Sequence, residues 1–347
     1  MLPQDTFQRI DIMRFPLIAG VVFAHAYPGS SNNFITVFIY NFICNDLRRV
    51  PLLFLISGYV FFIKFDPSKQ TYWSKFNARI RSLLIPFLIW NIATLVIFAH
   101  AQSIPSTSGF FSGLNAPIAS YSVFDYFNAI LGINRMPIAV QFWFIRDLMV
   151  LVLLTPFIHY VNSRMPKLFL TLLLICWMLD YWAIYVPSVE ATLFFSLGAF
   201  LGEQRDDIFK LDKFGILAIP IFVMIAVYTI LFAQSPLSPY LHRIGIVLGI
   251  ISAMYISKQV MKWPQAKNKL LELSKMSFFV FAAHEPLQII IRKLVYRVLM
   301  PESWVLELAL YFIIPTSIIA FLIVTYHLLD NATPNILRVI TGKRAKY

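Results

Sequence analysis

An imidazole takes or gives a proton near neutrality, a guanidinium holds a phosphate or carboxylate through paired hydrogen bonds, and a carboxylate orients either one. All three types occur inside apolar runs of this chain. A charge at the centre of a lipid-embedded helix costs roughly 2.5 to 3.5 kcal/mol on the mildest scale, so each such group needs a partner or a function. The segment RIDIMRFPLIAGVVFAHAY carries Asp11, Arg14 and His25. On a helix, Asp11 and Arg14 are three apart and pair on one face, while Arg14 and His25 are eleven apart, about three turns, so all three share one stripe. At 1.5 Å per residue the arginine and the histidine lie roughly 16 Å apart along the axis. That places the cation near the inner surface and the imidazole near the outer one. Each also has a plainer reading, with Arg14 snorkelling to the inner headgroups and His25 resting among the outer ones beside Tyr27.

Further groups of this kind stand later in the chain. His284 and Glu285 fall near the middle of an apolar run, where a buried partner or a role is the default inference. Their plainer reading is a neutral imidazole satisfied by a neighbouring helix. Asp147, next to Arg146 and just after Trp143, ranks first as the carboxylate that orients His25, ahead of Asp180 and Glu190, and any of them also suits the headgroup level. Ser57-Gly58 fits close helix packing better than nucleophilic attack, because no base stands at an activating spacing in its own segment. His100, His159, His242 and His327 lie near helix ends as interfacial residues. Neither a zinc-ligand spacing nor a P-loop or dinucleotide fingerprint occurs, so no metal is expected.

The elements that must position these groups are membrane helices. Hydrophobic residues make up 59% of 347 positions against 13% charged, and the mean hydropathy is +0.71. That balance excludes an ordinary water-soluble domain. At roughly 20 residues per crossing, about ten helices fall near 10–28, 45–63, 83–100, 141–160, 168–185, 189–203, 214–233, 240–258, 276–292 and 303–329. The expected architecture is an all-α integral membrane bundle in one domain, residues 1–347. The net charge of +12 raises nucleic acid as a partner. The basic residues cluster in alternate short loops instead, at Arg9 and Arg14, Lys64 to Arg81, Arg164 and Lys167, Arg205 to Lys213, Lys258 to Lys275, and Arg338 to Lys346, the pattern of membrane topology with both termini cytoplasmic. No basic surface with interleaved aromatics is present, so nucleic acid is not an expected partner. The first segment contains Asp11 and Arg14 and lacks a cleavage site, so it reads as a retained helix. Cys44 and Cys176 fall at different depths, against a disulfide. The outer segment Ala101–Val140, with Ser-Thr-Ser-Gly, Ser-Gly and Asn-Ala-Pro stretches, reads as an exposed loop able to fold over an outer cavity.

Asp11-x-x-Arg14 followed by ten residues and His25 resembles the opening of the acyltransferase-3 family of membrane acyltransferases. Four more fragments agree in order: VPLLFLISGYVFF (50–62), NARIRSLLIPFLIW (77–90), FWFIRDL (142–148) and SKMSFFVFAAHEPL (274–287). Each alone is weak, and five in order across about 270 residues are strong together. The resemblance implies transfer of an acyl group, usually acetyl from acetyl-CoA, from the cytoplasm to an envelope glycan or lipid-linked saccharide. It also implies a bacterial inner-membrane location, with membrane lipids as surroundings. Under it, His25 is the general base, and Arg14 with Arg79 and Arg81 meets the phosphates of acyl-CoA. Asp147 is the orienting carboxylate, and Asp11, Trp143, His284 and Glu285 bind substrate or support the site, along one polar path from the coenzyme side to the sugar side. The chain lacks the hydrolase-like domain some members append, which implies a stand-alone enzyme or one that passes its acyl group to a partner. A transporter or flippase for a glycan or lipid-linked intermediate is the competing expectation.

Overall fold

The computed structural model describes residues 4–27, 33–47, 50–63, 69–108 and 117–342. Seventeen α-helices follow one another among them: α1 Gln4–Ala24, α2 Phe34–Asn41, α3 Val50–Phe62, α4 Lys69–Arg79, α5 Ile85–Ser103, α6 Pro105–Ser108, α7 Val123–Leu131, α8 Trp143–Leu153, α9 Thr155–Arg164, α10 Pro166–Leu179, α11 Val189–Glu203, α12 Gly215–Leu231, α13 Ser238–Val260, α14 Pro264–Ser274, α15 Ser277–Leu299, α16 Trp304–Ala332 and α17 Pro334–Thr341. No strand occurs among the described residues. Lys64 and the basic residues from Lys343 to Lys346, used in the topology argument, and Gly109, Ser112-Gly113 and Asn115-Ala116, used for the outer loop, lie outside the described residues.

Four helical stretches are long and apolar enough to cross a membrane: Tyr72–Ser103, Asp212–Leu231, Ser238–Val260 and Trp304–Ala332. A fifth joins them if Val140–Leu153 and Thr155–Arg164 count as one broken span. Many large apolar side chains face outward, among them Leu172, Leu179, Ile216, Leu217, Met224, Ile313 and Leu328. A surface of that kind suits lipid, where the backbone is satisfied inside each helix. The protein is an integral membrane protein.

Most described residues of the ten expected stretches are helical, but only four or five stretches are long and apolar enough to cross a membrane. The stretch expected at 168–185 stops at Leu179, where Asp180 turns left-handed with φ 57°. Three further departures stand out. The stretch expected at 141–160 bends by 62° between α8 and α9, because Pro156 has no N–H to give and its ring collides with the preceding turn. The run 34–47, expected to be largely loop, forms α2 and a π-helical turn, Phe42–Leu47. Residues 117–140 of the outer segment hold ordered elements: α7 starts on a Ser122–Asp125 capping box and ends at Gly132, whose φ of 68° suits glycine. Ile118, Ala129 and Ile138 pack there against Leu95 and Phe98 of α5.

The tightest packing joins α3 to α11 through small residues. A Cβ on Gly198 would stand 2.0 Å from the Leu55 carbonyl oxygen, and one on Gly58 2.1 Å from that of Phe195, so the two backbones touch as small-residue membrane interfaces allow. Ser57-Gly58 is therefore a packing element. Arg9, counted above as a topology charge, is half-buried. It donates to Asp212 at 2.8 Å and to the Met254 carbonyl at 2.7 Å, and its guanidinium lies 3.7 Å over the Phe209 ring.

Gly198→Ala should lower the thermal midpoint in detergent by the equivalent of at least 1 to 3 kcal/mol, the usual range for overpacking. Gly245→Ala meets only a methyl of Ile225, at 3.2 Å, and should change the midpoint little. Equal midpoints for the two variants would remove the backbone contact as a determinant of stability.

Candidate active site

The end of α1 and the turn after it carry carbonyl groups that the helix satisfies only in part, the Ala26 N–H reaching that of Phe23 at 3.1 Å. Side chains from α15 and α16 supply further donors. Glu285, Gln288 and Arg292 recur at helical spacing along one face of α15. Gln288 donates to the Val22 carbonyl at 3.0 Å. Arg292 donates to the His25 carbonyl at 3.3 Å and also to that of Tyr27. The Tyr311 hydroxyl of α16 donates to the Phe23 carbonyl at 3.2 Å. His25 sits in the turn immediately after α1, its N–H still on the Val21 carbonyl at 3.1 Å.

With the backbone so held, His25 Nδ1 lies 2.9 Å from Glu285 Oε2, both side chains about one-seventh exposed. The separation is that of a hydrogen bond, while the angle departs from one. His284 is fully buried behind them. Its Nδ1 faces the Phe281 carbonyl at 2.7 Å and that of Val280 at 3.2 Å, and its ring stands edge-on to His25 with centroids 5.4 Å apart. Pro286 explains the local shape: its missing N–H frees the Ala282 carbonyl four residues back, and Gln141 Nε2 takes that carbonyl at 3.0 Å. Gln141 thereby docks the start of α8 against the His284-Glu285 turn. Among the described residues, His25, His284 and Glu285 are the one cluster of three whose ligand-type atoms lie within 4.8 Å of one another.

His25 opens onto a cavity of about 390 Å³ that is also lined by Met136, Val140, Trp143, Arg146, Asp147, Tyr185 and Ser188, within the size range of small-molecule sites. Two residues singled out from the sequence, Trp143 and Asp147, thus share a cavity with His25. Asp147 does not orient the histidine. One of its oxygens accepts from Arg146 at 2.9 and 3.1 Å, and the other accepts the Ser188 N–H at 2.9 Å. Arg146 further donates to the Gly132 and Arg135 carbonyls at 2.8 and 3.0 Å and lies 5.2 Å over the Tyr185 ring. This buried pair therefore builds the cavity wall from α8, α11 and the α7 loop. The carboxylate at His25 is Glu285. Asp180 instead faces Arg243 at 3.1 Å and is exposed.

Arg14 pairs with Asp11 at 2.6 Å on the expected face of α1. The cavity at His25 stops short of it. Between them the same stripe carries Ile18, Val21 and Val22, all buried, so the expected single polar path is interrupted by an apolar section. Arg79 ends α4 half-buried, and Arg81 lies exposed in the π-helical turn Ile80–Leu84 that leads into α5.

Tyr185, Gln141, Gln288 and Arg292 escaped the sequence reading. The last two carried a usable signal, polar residues at helical spacing after His284-Glu285. Tyr185 carried none, because it follows Tyr181 and Trp182 at the end of an expected membrane helix, where aromatics are ordinary.

Against known proteins, the chain matches a family model described as an acyltransferase domain over residues 7–330. It is 27% identical to the succinoglycan biosynthesis protein ExoH of Rhizobium meliloti (strain 1021), over 97% of this chain and 92% of that protein. No solved structure matches it. The fragments around His25, Gly58, Pro86, Trp143 and His284 all fall within the matched span, and the chain belongs to the acyltransferase-3 family of membrane acyltransferases.

Proposed function

We propose that this protein moves an acyl group from acyl-CoA to a hydroxyl of an envelope glycan or lipid-linked saccharide, with His25 as general base and Glu285 as the group that orients it. The observation that carries this reading is the 2.9 Å approach of Glu285 Oε2 to His25 Nδ1 at the edge of a cavity. A carboxylate at Nδ1 favours the tautomer with its proton there and leaves Nε2 free to accept one. Contacts of this kind are often loose before substrate binds and tighten in the complex.

In the proposed reaction the acceptor hydroxyl gives its proton to Nε2 as its oxygen attacks the thioester carbonyl. The C–S bond then breaks, and the imidazolium returns the proton to the departing thiolate. The acceptor lies in the cavity with a ring face against Trp143 or Tyr185, a common arrangement for sugars, whose C–H faces are apolar. A glycan acceptor agrees with the name of the relative from succinoglycan biosynthesis. The donor, its arrival from the cytoplasm, the bacterial inner membrane and acetyl as the group rest on the family. Arg14, Arg79 and Arg81 are the proposed phosphate contacts at the opposite end.

His25→Ala should reduce transfer to the glycan by about 10² to 10⁴, the usual contribution of a general base, while the protein still accumulates in the membrane. Glu285→Gln should fall in the same range. The readout is ester-linked acyl mass on the glycan, and unchanged acylation in His25→Ala would remove the assigned base.

Tyr185→Ala should raise KM for the acceptor about tenfold with kcat within a factor of three. A fall in kcat alone would place Tyr185 in the chemistry rather than in binding.

A further inference from the structure

The mechanism above leaves His284 Nε2 unused, although that atom is buried and has no hydrogen-bond partner. The facing carbonyls of Phe281 and Val280 call for the proton on Nδ1, so Nε2 presents a bare lone pair. It points at Glu285 Oε2, 3.8 Å away. One acceptor therefore faces another in an apolar interior, where only a donor or a cation removes the mismatch. His25 Nδ1 approaches the same carboxylate oxygen from a third direction, at 2.9 Å but off hydrogen-bond alignment. One ligand-type atom from each of the three residues lies within 4.8 Å of the other two.

Two imidazole nitrogens and one carboxylate oxygen form a ligand set typical of zinc, with bonds of about 2.0 to 2.2 Å. Such bonds in a tetrahedron put ligand atoms roughly 3.2 to 3.6 Å apart. The two separations to Glu285 are 2.9 and 3.8 Å, and the two histidine nitrogens lie within 4.8 Å of each other, so small side-chain shifts would close the site. The outer shell is already in place. A metal-bound histidine ordinarily donates its other ring N–H to a carbonyl or carboxylate, which sets its tautomer and its angle, and His284 Nδ1 faces Phe281 in that manner. Of the three residues only His25 borders the cavity, so it is the one that links the cluster to the outside.

We infer that His25, His284 and Glu285 form an inhibitory binding site for a borderline divalent cation of the Zn²⁺ class. The inference rests on the reading of His25 as the base. Zn²⁺ on Nδ1 moves the proton of a neutral His25 to Nε2, turning the nitrogen that must accept the acceptor's proton into a donor. The Nδ1–H bond is exchanged for an Nε2–H bond and the metal–ligand bonds form, with no change in net protonation of the imidazole. Both reverse when the ion leaves, so that transfer resumes.

The test uses the full chain purified in detergent and stripped of metal, with Zn²⁺ added in a calorimeter and Co²⁺ followed by its visible absorption. One Zn²⁺ per chain should bind, and Co²⁺ should give the intense bands of a four-coordinate site. His284→Asn, and separately His25→Ala, should weaken binding at least tenfold. His159→Ala should leave it unchanged, because the His159–Glu203 pair, 2.7 Å apart, has no third ligand of these types among the described residues. Zn²⁺ should also stop transfer reversibly, with EDTA restoring it. In His284→Asn the half-inhibitory concentration, measured against that variant's own metal-free rate, should rise at least tenfold.

Absence of one-to-one Zn²⁺ binding to the unaltered chain, or binding that His284→Asn leaves within twofold, overturns the site. If His284→Asn does not fold, the Co²⁺ spectrum of the unaltered chain decides, because octahedral weak bands or none exclude a four-coordinate centre. Zinc binding together with full activity in His25→Ala would instead sink the base assignment and leave the metal site standing.

Discussion

The structure turns on the end of α1. A helix that stops inside a membrane protein leaves carbonyl groups that water cannot reach, and each unsatisfied group costs several kcal/mol. Here the carbonyls of Val22, Phe23, His25 and Tyr27 accept from Gln288, Tyr311 and Arg292. The stripe of α15 that supplies Gln288 and Arg292 also supplies Glu285. Satisfying the backbone and placing the carboxylate on His25 are therefore one event, and the imidazole is oriented as a consequence of how the helix is allowed to end. Pro286 extends the arrangement by freeing the Ala282 carbonyl for Gln141, which ties the cavity-lining start of α8 to the same turn.

Much of this was legible in advance because membrane helices are written in composition. The fifteen-residue helix Val189–Glu203 falls where the apolar run puts it, and Gly58 meets α11 as a small residue at a helix interface should. What the apolar pattern hides is where a helix breaks or begins within it. Pro156 marks the 62° bend, yet proline is tolerated in many membrane helices, so only packing separates a kink from a break. The π-helical turn Phe42–Leu47 has no local signature of its own.

The site was legible in kind and not in pairing. His25, His284 and Glu285 stand out because ionisable groups are rare in apolar runs. Which carboxylate reaches His25 depends on a contact across some 260 positions of sequence, and adjacent residues of a helix point about 100° apart. Asp147 has the more suggestive surroundings in sequence, after an aromatic pair near a helix end. In space, Arg146 and the Ser188 N–H consume its oxygens.

The apolar section between Arg14 and His25 has a physical reason of its own. A membrane helix with polar groups near both ends cannot keep a wet path open between them, because such a path would also pass protons and ions. Ile18, Val21 and Val22 fill the stripe where the polar groups are missing, and hydrophobic constrictions exclude water without a moving gate. Ile18, Val21 and Val22 belong to the packed core, so the Asp11–Arg14 pair and the cavity at His25 are two separate polar environments on one helix.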